Sequence, residues 1–285
     1  ERNSNKSDNH EISFDDTAKK SFEELVAKGI QAVKNNEFQK VVLSRKEIVA
    51  VKDFQFEAAF ESLVSAYPST FSYCFYHPRV GMWLGATPEQ LLKANITNFE
   101  TISLAGTQKD LGSKEIVWEN KEKEEQQIVT DYIVNKLQPV ATELLVSKPY
   151  SIKAGSIWHI KTTISGVLNT DCSLQKVVGL LHPTPAVCGL PKEKAKAFIL
   201  ANEKYDRGFY TGFLGELNCS FVREIESTDL FVNLRCMQVL LNSADSNTKV
   251  YLYMGCGITK DSVPSKEWNE SVNKSITMKK VLIKN

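Results

Sequence analysis

The sequence predicts a single α+β domain with large, mostly antiparallel sheet content. Segments with helical periodicity and segments rich in β-branched residues occur along the whole chain, and no repeat or Gly/Ser/Pro-rich linker divides its 285 residues. Apolar residues make up 42% of the chain and charged residues 24%, which is typical of a folded globular protein. We therefore expect one domain over residues 16–285, preceded by a polar, disordered segment at residues 1–15.

The first third of the chain predicts two helices and four strands. Apolar residues recur at three- and four-residue spacing at Phe22, Leu25, Val26, Ile30 and Val33, which predicts a helix there. Residues 39–51 are rich in β-branched residues and predict a strand. A second helix at residues 57–66 is expected to end before Pro68. Three more strands are expected at residues 72–76, 81–86 and 90–94, and the short breaks between them predict a meander.

Helices and strands continue to the C-terminus. The most regular helix is expected over about residues 114–137, because apolar residues keep helical spacing there and Pro139 ends the pattern. Extended segments are expected around residues 157–168, 213–223, 229–241 and 249–258. Further helices are expected near residues 173–181, 191–206 and 266–280.

Charge and hydropathy make a small molecule the expected ligand. The 35 basic and 34 acidic side chains leave a net charge of +1, too small a field to hold nucleic acid or an anionic membrane. No apolar run approaches the roughly 20 residues that span a bilayer. The polar N-terminus does not predict a signal peptide, and the chain begins with Glu1 instead of Met, so we expect a longer natural protein.

The six cysteines predict reduced thiols in a cytoplasmic protein. They include no CxxC pair and no Cys/His cluster at zinc spacing. Several lie inside apolar runs, where a free cysteine packs as a small hydrophobic residue.

Two helices carry carboxylates that can be interpreted in two ways. Extending the apolar stripe of the 114–137 helix backward reaches Glu125, so its carboxylate could face inward toward a cation. The alternative is a solvated helix start, where acidic residues favour the helix dipole. In the last helix Glu267, Glu270 and Lys274 share one stripe, as in a surface ion pair or a metal site. Carboxylates from two helices are ligands suited to Mg²⁺.

Two cationic residues stand in strand-like surroundings. Arg235 lies in FVNLRCMQVL, where it predicts either an anionic ligand for its planar guanidinium or a structural ion pair on an edge strand. Lys40 stands at the head of the 39–51 strand, and its context alone favours a solvated strand end.

Other candidate ligand contacts are less specific. Gly255 and Gly257 could bring backbone amides close to an anion, but GxG is a common pattern. The segment Leu104-Ala105-Gly106-Thr107 is interpreted as a turn or an anion-binding loop, and His159 as either a core histidine or a ligand.

The motifs, taken together and in order, resemble the chorismate-binding enzymes, which include the isochorismate, salicylate, anthranilate and aminodeoxychorismate synthases. The resemblance runs from about residue 37 to the C-terminus and rests on FQKVVLSR, GATPEQLL, ISLAGT, KEKEEQQIV, WHIKTTISG, LHPTPAVCGLP, YDRGFYTGFLGE, LFVNLRCMQV, YMGCGI and EWNESVNK. It implies one catalytic domain in which sheets and surrounding helices enclose a deep cleft. A monomer is typical of the enzymes it resembles.

The resemblance also implies roles for individual residues. It makes Glu125 and Glu270 the Mg²⁺ ligands, Lys40 a general base and Glu89 a general acid. Substrate contacts would come from the following residues: Leu104, Ala105, Gly106, Thr107, His159, Arg235, Gly255, Gly257 and Lys274. The family commonly has a histidine directly after the ligand glutamate, and here that position is Gln126.

The activity implied is the reversible, Mg²⁺-dependent conversion of chorismate to isochorismate. Water would attack C2 while hydroxide leaves C4, with a neutral Lys40 taking one proton and a protonated Glu89 giving another. A salicylate synthase, which goes on to eliminate pyruvate, is the nearest alternative. Anthranilate and aminodeoxychorismate synthases use ammonia as the nucleophile, whereas the lysine at position 40 is better suited to activating water. A catalytically inactive chorismate-binding regulator would not need Lys40, Glu89, Glu125 and Glu270 together. Neither menaquinone nor siderophore synthesis is favoured as the pathway.

Overall fold

The computed structural model describes residues 16–110, 116–154, 157–219, 227–240 and 247–282. The N-terminal segment expected to be disordered, residues 1–15, lies outside the described residues.

The described residues form six helices and thirteen strands. The helices are α1 Asp16–Lys34, α2 Phe56–Ala66, α3 Asn120–Leu137, α4 Leu174–Leu181, α5 Lys192–Asn202 and α6 Pro264–Leu282. The strands are β1 Lys40–Lys52, β2 Phe71–His77, β3 Gly81–Thr87, β4 Gln90–Asn95, β5 Asn98–Lys109, β6 Ala141–Val146, β7 Tyr150–Ala154, β8 Ile157–Leu168, β9 Gly189–Leu190, β10 Phe213–Glu216, β11 Thr228–Val232, β12 Cys236–Leu240 and β13 Asn247–Ile258. A short 3-10 turn, Gln138–Val140, follows α3.

The strands form two antiparallel sheets. Sheet A has the order β2-β3-β12-β13-β1-β9, and sheet B has the order β10-β11-β4-β5-β8-β6, with β7 also pairing with β8. The predicted α+β domain with mostly antiparallel sheets is therefore confirmed.

Apolar faces hold the helices against the sheets. Helix α3 buries Val129, Ile133 and Leu137 in the same core as residues of sheet B. Helix α6 contributes Met278 and Val281 to the core of sheet A. Each fully buried side chain of this size contributes about 1.5–3 kcal/mol to stability. The two long helices α3 and α6 thus take fixed positions on different sheets.

The predicted meander is wrong. Strands β2 and β3 pair as expected, but β4 belongs to sheet B. The chain leaves sheet A at Pro88 because the Thr87 hydroxyl and the next backbone groups bond to β11 instead: Thr87 Oγ1 donates to Val232 O at 2.6 Å, and Val232 N donates to Glu89 O at 2.9 Å.

Other boundaries also differ from the prediction. The 229–241 segment is two strands, β11 and β12, and β10 ends at Glu216 instead of near residue 223. Helix α3 begins at Asn120, although it was expected from about residue 114. Strand β5 was not predicted as a strand.

No helix in the described part of the chain is long and apolar enough to cross a membrane. The six cysteines form no disulfide.

Candidate active site

The chain crosses between the two sheets four times, and the two crossings that contain no helix lie side by side. The first, at Pro88 and Glu89, joins β3 to β4, and the second, at residues 233–235, joins β11 to β12. The backbone of Ala86, near the end of β3, donates to the carbonyl of Arg235 at 3.1 Å, so the second crossing is bonded to the strand from which the first one leaves. Because neither crossing continues a strand, both leave side chains free to face the space between the sheets.

One cavity lies at these crossings, and it collects the residues that the resemblance singled out. Strands β1, β5, β8 and β13, helices α3 and α6, and the segments that contain Val187 and Tyr210 complete its wall. Every predicted site residue except Lys40 lines it: Glu89, Leu104, Ala105, Gly106, Thr107, Glu125, His159, Arg235, Gly255, Gly257, Glu270 and Lys274.

The segment Leu104–Thr107 is part of strand β5 and not a loop or turn, so that expectation is wrong. The register between β5 and β8 shifts between Ala105 and Thr107, which makes Gly106 a bulge with φ of 73°. Only glycine adopts this backbone conformation without strain. A Cβ at this position would also lie 3.1 Å from Glu122 Cβ. The bulge therefore brings α3 close to the strand and turns the Gly106 carbonyl toward His159.

Arg235 lies in the second crossing and not in the middle of a strand. Its φ of 47° is unusual for a residue with a side chain. Burial lowers the pKa of its guanidinium. Among the described residues no carboxylate lies within salt-bridge distance of it, and Arg235 Nη2 instead lies 3.2 Å from His159 Nε2. The structural ion pair considered from the sequence is therefore not formed in this part of the chain.

His159 connects Arg235 to the bulge in β5. Its Nδ1 lies 3.0 Å from the Gly106 carbonyl oxygen, which can only accept a hydrogen bond, while the guanidinium at Nε2 can only donate. The neutral tautomer with the proton on Nδ1 satisfies both. Burial and the charge of Arg235 lower the pKa of His159 to about 3. His159 is thus a neutral hydrogen-bonding link in the cavity wall.

Lys40 is fully buried, so its interpretation as a solvated strand end is wrong. Its Nζ forms an ion pair with Glu125 Oε1 at 2.9 Å, behind the cavity wall. Although burial opposes it, the charge of Lys40 lowers the pKa of Glu125. Gly257 makes room for the pair, because a Cβ there would lie 2.1 Å from Glu125 Oε1 and 3.0 Å from Lys40 Cε. The role of Gly257 is therefore to leave space for this ion pair.

Glu89 is a buried carboxyl on the first crossing, and it has no ion pair in the described structure. Burial raises its pKa to about 7, and the charges of Lys40, Arg235 and Lys274 oppose this increase. A carboxyl of this kind is populated in both protonation states near neutral pH, as a general acid must be.

Helix α6 brings the second carboxylate and a lysine to the cavity. Lys274 Nζ donates to Glu270 Oε1 at 2.7 Å and to the Gly255 carbonyl at 2.6 Å. One turn earlier, Glu267 is buried and pairs with Lys121 of α3 at 2.6 Å. Helices α3 and α6 are therefore joined at the edge of the cavity by an ion pair.

The acidic residues at this edge fit a divalent cation. Oxygen atoms of Glu267 and Glu270 and the sulfur of Cys256 lie within 4.8 Å of one another, although this close group does not include Glu125. Buried Glu122 Oε2, on the same helix as Glu125, has no hydrogen-bond partner in the described structure. A donor set dominated by carboxylate oxygens is the kind that Mg²⁺ prefers.

Some cavity residues were missed from the sequence. Tyr210 is buried in the wall, and a Cβ on Gly255 would lie 2.7 Å from its hydroxyl oxygen. The motif YDRGFYTGFLGE contained the signal, but no residue in it was given a role. Lys121 was given no role because it belongs to a charged run that looks solvated, and Glu267 was considered only as part of the stripe with Glu270 and Lys274.

Comparison with known proteins agrees with the geometry. A family described as "Chorismate binding enzyme" matches residues 1–283. The chain belongs to this family. Among curated relatives of this chorismate-binding enzyme, isochorismate synthase EntC of Escherichia coli strain K12 is 30% identical over 271 residues, covering 90% of this chain and 66% of the relative. Isochorismate synthase MenF of Pasteurella multocida is 26% identical over 274 residues, covering 91% and 61%.

A solved structure shows the same fold. The menaquinone-specific isochorismate synthase MenF of Escherichia coli superposes with a TM-score of 0.81 at 24% identity, over 93% of this chain and 61% of that chain. This chorismate-binding enzyme thus spans less than two thirds of the length of the curated relatives described above.

Proposed function

We propose that this chain is an isochorismate synthase that converts chorismate to isochorismate in the cavity between the two sheets. The observation that carries the proposal is the combination of a buried Lys40, paired with the cavity residue Glu125, and a buried Glu89 whose pKa is raised to about 7. A base and an acid at one cavity are what exchange of a hydroxyl group requires. The names of the curated relatives support the same reaction.

In this mechanism Arg235 and Lys274 bind the carboxylates of chorismate. A guanidinium without a carboxylate partner can form a bidentate, charge-assisted contact. His159 keeps Arg235 oriented because its Nε2 accepts from the guanidinium while its Nδ1 is held by Gly106. The backbone of β5 and Gly255 contribute further contacts with the substrate.

Glu125 and Glu270 would hold Mg²⁺ in this mechanism, with Glu122 and Glu267 beside them. The metal would anchor the ring carboxylate of chorismate and stabilise the charge that develops on the substrate. Hydrogen bonds and ion pairs from Lys121 and Lys274 keep the acidic residues of α6 in place before the substrate binds.

Lys40 and Glu89 move the protons. Lys40 first loses the proton that it holds in the ion pair with Glu125. As a neutral amine it then takes a proton from water while the water oxygen forms a bond to C2 of the ring. The ring double bond shifts and the C4–O bond breaks, and Glu89 gives its proton to the departing hydroxyl, which leaves as water. The two residues then exchange protons through solvent to start the next turnover.

Product analysis tests this proposal. Incubation with chorismate and Mg²⁺, followed by chromatography, should give isochorismate in an equilibrium mixture with chorismate, because one allylic alcohol is exchanged for another. Anthranilate formed on addition of ammonium would contradict water as the nucleophile. Accumulation of salicylate and pyruvate would make the chain a salicylate synthase, the second candidate.

The pH dependence should reflect Glu89. With a pKa of about 7, the acid form is present below neutral pH and is lost as the pH rises, so kcat/KM should decline with a midpoint near pH 7. Glu89→Gln, which has no acidic proton, should be slow at every pH yet still bind chorismate. A wild-type profile that is flat between about pH 6 and 9 would remove Glu89 from the mechanism.

Arg235→Ala should mainly weaken the binding of chorismate. Loss of a charge-assisted, bidentate contact in a buried site costs about 2–4 kcal/mol, which calorimetric titration with chorismate would measure. Arg79→Ala, which removes an exposed arginine at the β2–β3 turn, is the matched control. An unchanged affinity in a folded Arg235→Ala chain would make Arg235 a structural residue of the crossing.

A further inference from the structure

Gln126 is a buried polar residue that the mechanism above does not use. It directly follows Glu125 in α3, and only 2% of its surface is exposed. Its amide nitrogen lies 2.7 Å from Thr162 Oγ1, 2.9 Å from Thr130 Oγ1 and 3.4 Å from Ser103 Oγ. Burial of an amide is unfavourable unless it is hydrogen-bonded, and these contacts of the amide nitrogen give the side chain a defined orientation.

Two of the three partners of Gln126 belong to the sheet that supports the cavity, while Thr130 lies one turn further along α3. Ser103 on β5 and Thr162 on β8 are direct cross-strand neighbours, and both are buried. Ser103 Oγ also donates to the backbone carbonyl of Gln126 at 3.3 Å. Helix α3 is therefore attached to both central strands by directional bonds at the residue beside Glu125, whereas most of its other contacts with sheet B are apolar.

Because these hydrogen bonds are made by the residue next to Glu125, they fix the rotation of α3 at the point where the Glu125 carboxylate projects from it. Apolar contacts tolerate small rotations of a helix about its axis, whereas hydrogen bonds to two fixed hydroxyls do not. The tip of a side chain lies about 6 Å from the helix axis, so a rotation of about 20° would move the Glu125 carboxylate by about 2 Å. A displacement of about 1 Å is already enough to impair a metal or catalytic site.

We propose that Gln126 is a positioning residue that sets the rotation of α3 and thereby aims Glu125 at the metal site. It does not contact the substrate or the metal. The inference rests on the proposed function, because it requires Glu125 to be a metal ligand. The histidine that family members commonly carry at this position also has a ring N–H, which could donate to one of the same hydroxyls.

Gln126→Met tests the inference, since methionine keeps the size of the side chain and removes its donors. We expect metal affinity to fall about tenfold, the lower end of the effect of losing a supporting contact. Mn²⁺ would be the probe, and the loss of its free electron paramagnetic resonance signal would measure binding without any turnover. The Mg²⁺ concentration for half-maximal rate should rise by the same factor, while kcat at saturating Mg²⁺ should stay close to wild type.

Gln127→Met is the matched control, because Gln127 is exposed in the same helix and bonds to Asp131. It should bind Mn²⁺ like wild type, and Gln126→His should recover part of the lost affinity. If Gln126→Met does not fold, as judged by circular dichroism, Gln126→Asn should show the same loss of affinity. Unchanged Mn²⁺ affinity in folded Gln126→Met would contradict the role proposed for Gln126 but leave the proposed metal site in place. A wild-type chain that does not bind Mn²⁺ would overturn the proposed metal site as well.

Discussion

Replacing Lys40 with alanine is expected to lower kcat for chorismate by about two to four orders of magnitude, the usual contribution of a positioned general base. Lys40 is completely buried and pairs with Glu125 at the cavity, whereas the cavity residue Lys274 is held by Glu270 and the Gly255 carbonyl. The KM for chorismate should change much less than kcat, because the attacking water does not hold the substrate. Stopped assays with chromatographic separation of the products would measure both constants.

Lys40→Arg should fail as well, since a guanidinium stays protonated at neutral pH and cannot accept a proton. Lys46→Ala is the matched control: this lysine lies on the same strand but packs over the rings of Tyr205 and Tyr251. It should keep nearly full turnover. If folded Lys40→Ala also kept nearly normal turnover, Lys40 would be a structural partner of Glu125 and another base would be required.

Removal of the metal should lower turnover about as strongly as the Lys40→Ala substitution does. Chelation with EDTA should abolish turnover, and added Mg²⁺ should restore it. Glu125→Gln and Glu270→Gln keep the shape of the side chains and remove the negative charge that a hard cation needs, so each should lose most of the activity at ordinary Mg²⁺ concentrations.

Glu124→Gln is the control for the metal prediction, since Glu124 is exposed and adjacent in the same helix. Its Mg²⁺-dependent rate should match that of wild type. Thermal unfolding should show that the two ligand variants remain folded. Full activity in either Glu125→Gln or Glu270→Gln would remove that residue from the metal site, and activity that survives chelation would remove the metal from the mechanism.

The helices were predictable because their apolar residues repeat locally. The stripe in α3 predicted buried Val129 and Ile133, and it also indicated that Glu125 could face inward. The partner of Glu125 could not be found in this way. Lys40 is far from Glu125 in the sequence, and its burial depends on where β1 is placed, with β13 on one side and β9 on the other.

The crossings between the sheets were not predictable from local patterns. The segment that contains Arg235 has the composition of one continuous strand, but its backbone turns at Arg235 with a positive φ. Similarly, Gly106 suggested a turn, whereas long-range pairing with β8 keeps the segment extended around a bulge. In both cases hydrogen bonds to distant strands outweigh the local preference. The ordered motifs of the family nevertheless indicated Arg235 and Gly106 as site residues, which periodicity alone could not do.

The central claim, that this cavity adds water to chorismate, is tested most directly by running the reaction in water enriched in ¹⁸O. If the hydroxyl on C2 comes from solvent, mass spectrometry should find the heavy oxygen in isochorismate after a single forward conversion. The recovered chorismate should gain the label only as the reaction reverses. Isochorismate formed without the label would mean that the hydroxyl migrates within the substrate, and it would contradict the roles proposed for Lys40 and Glu89.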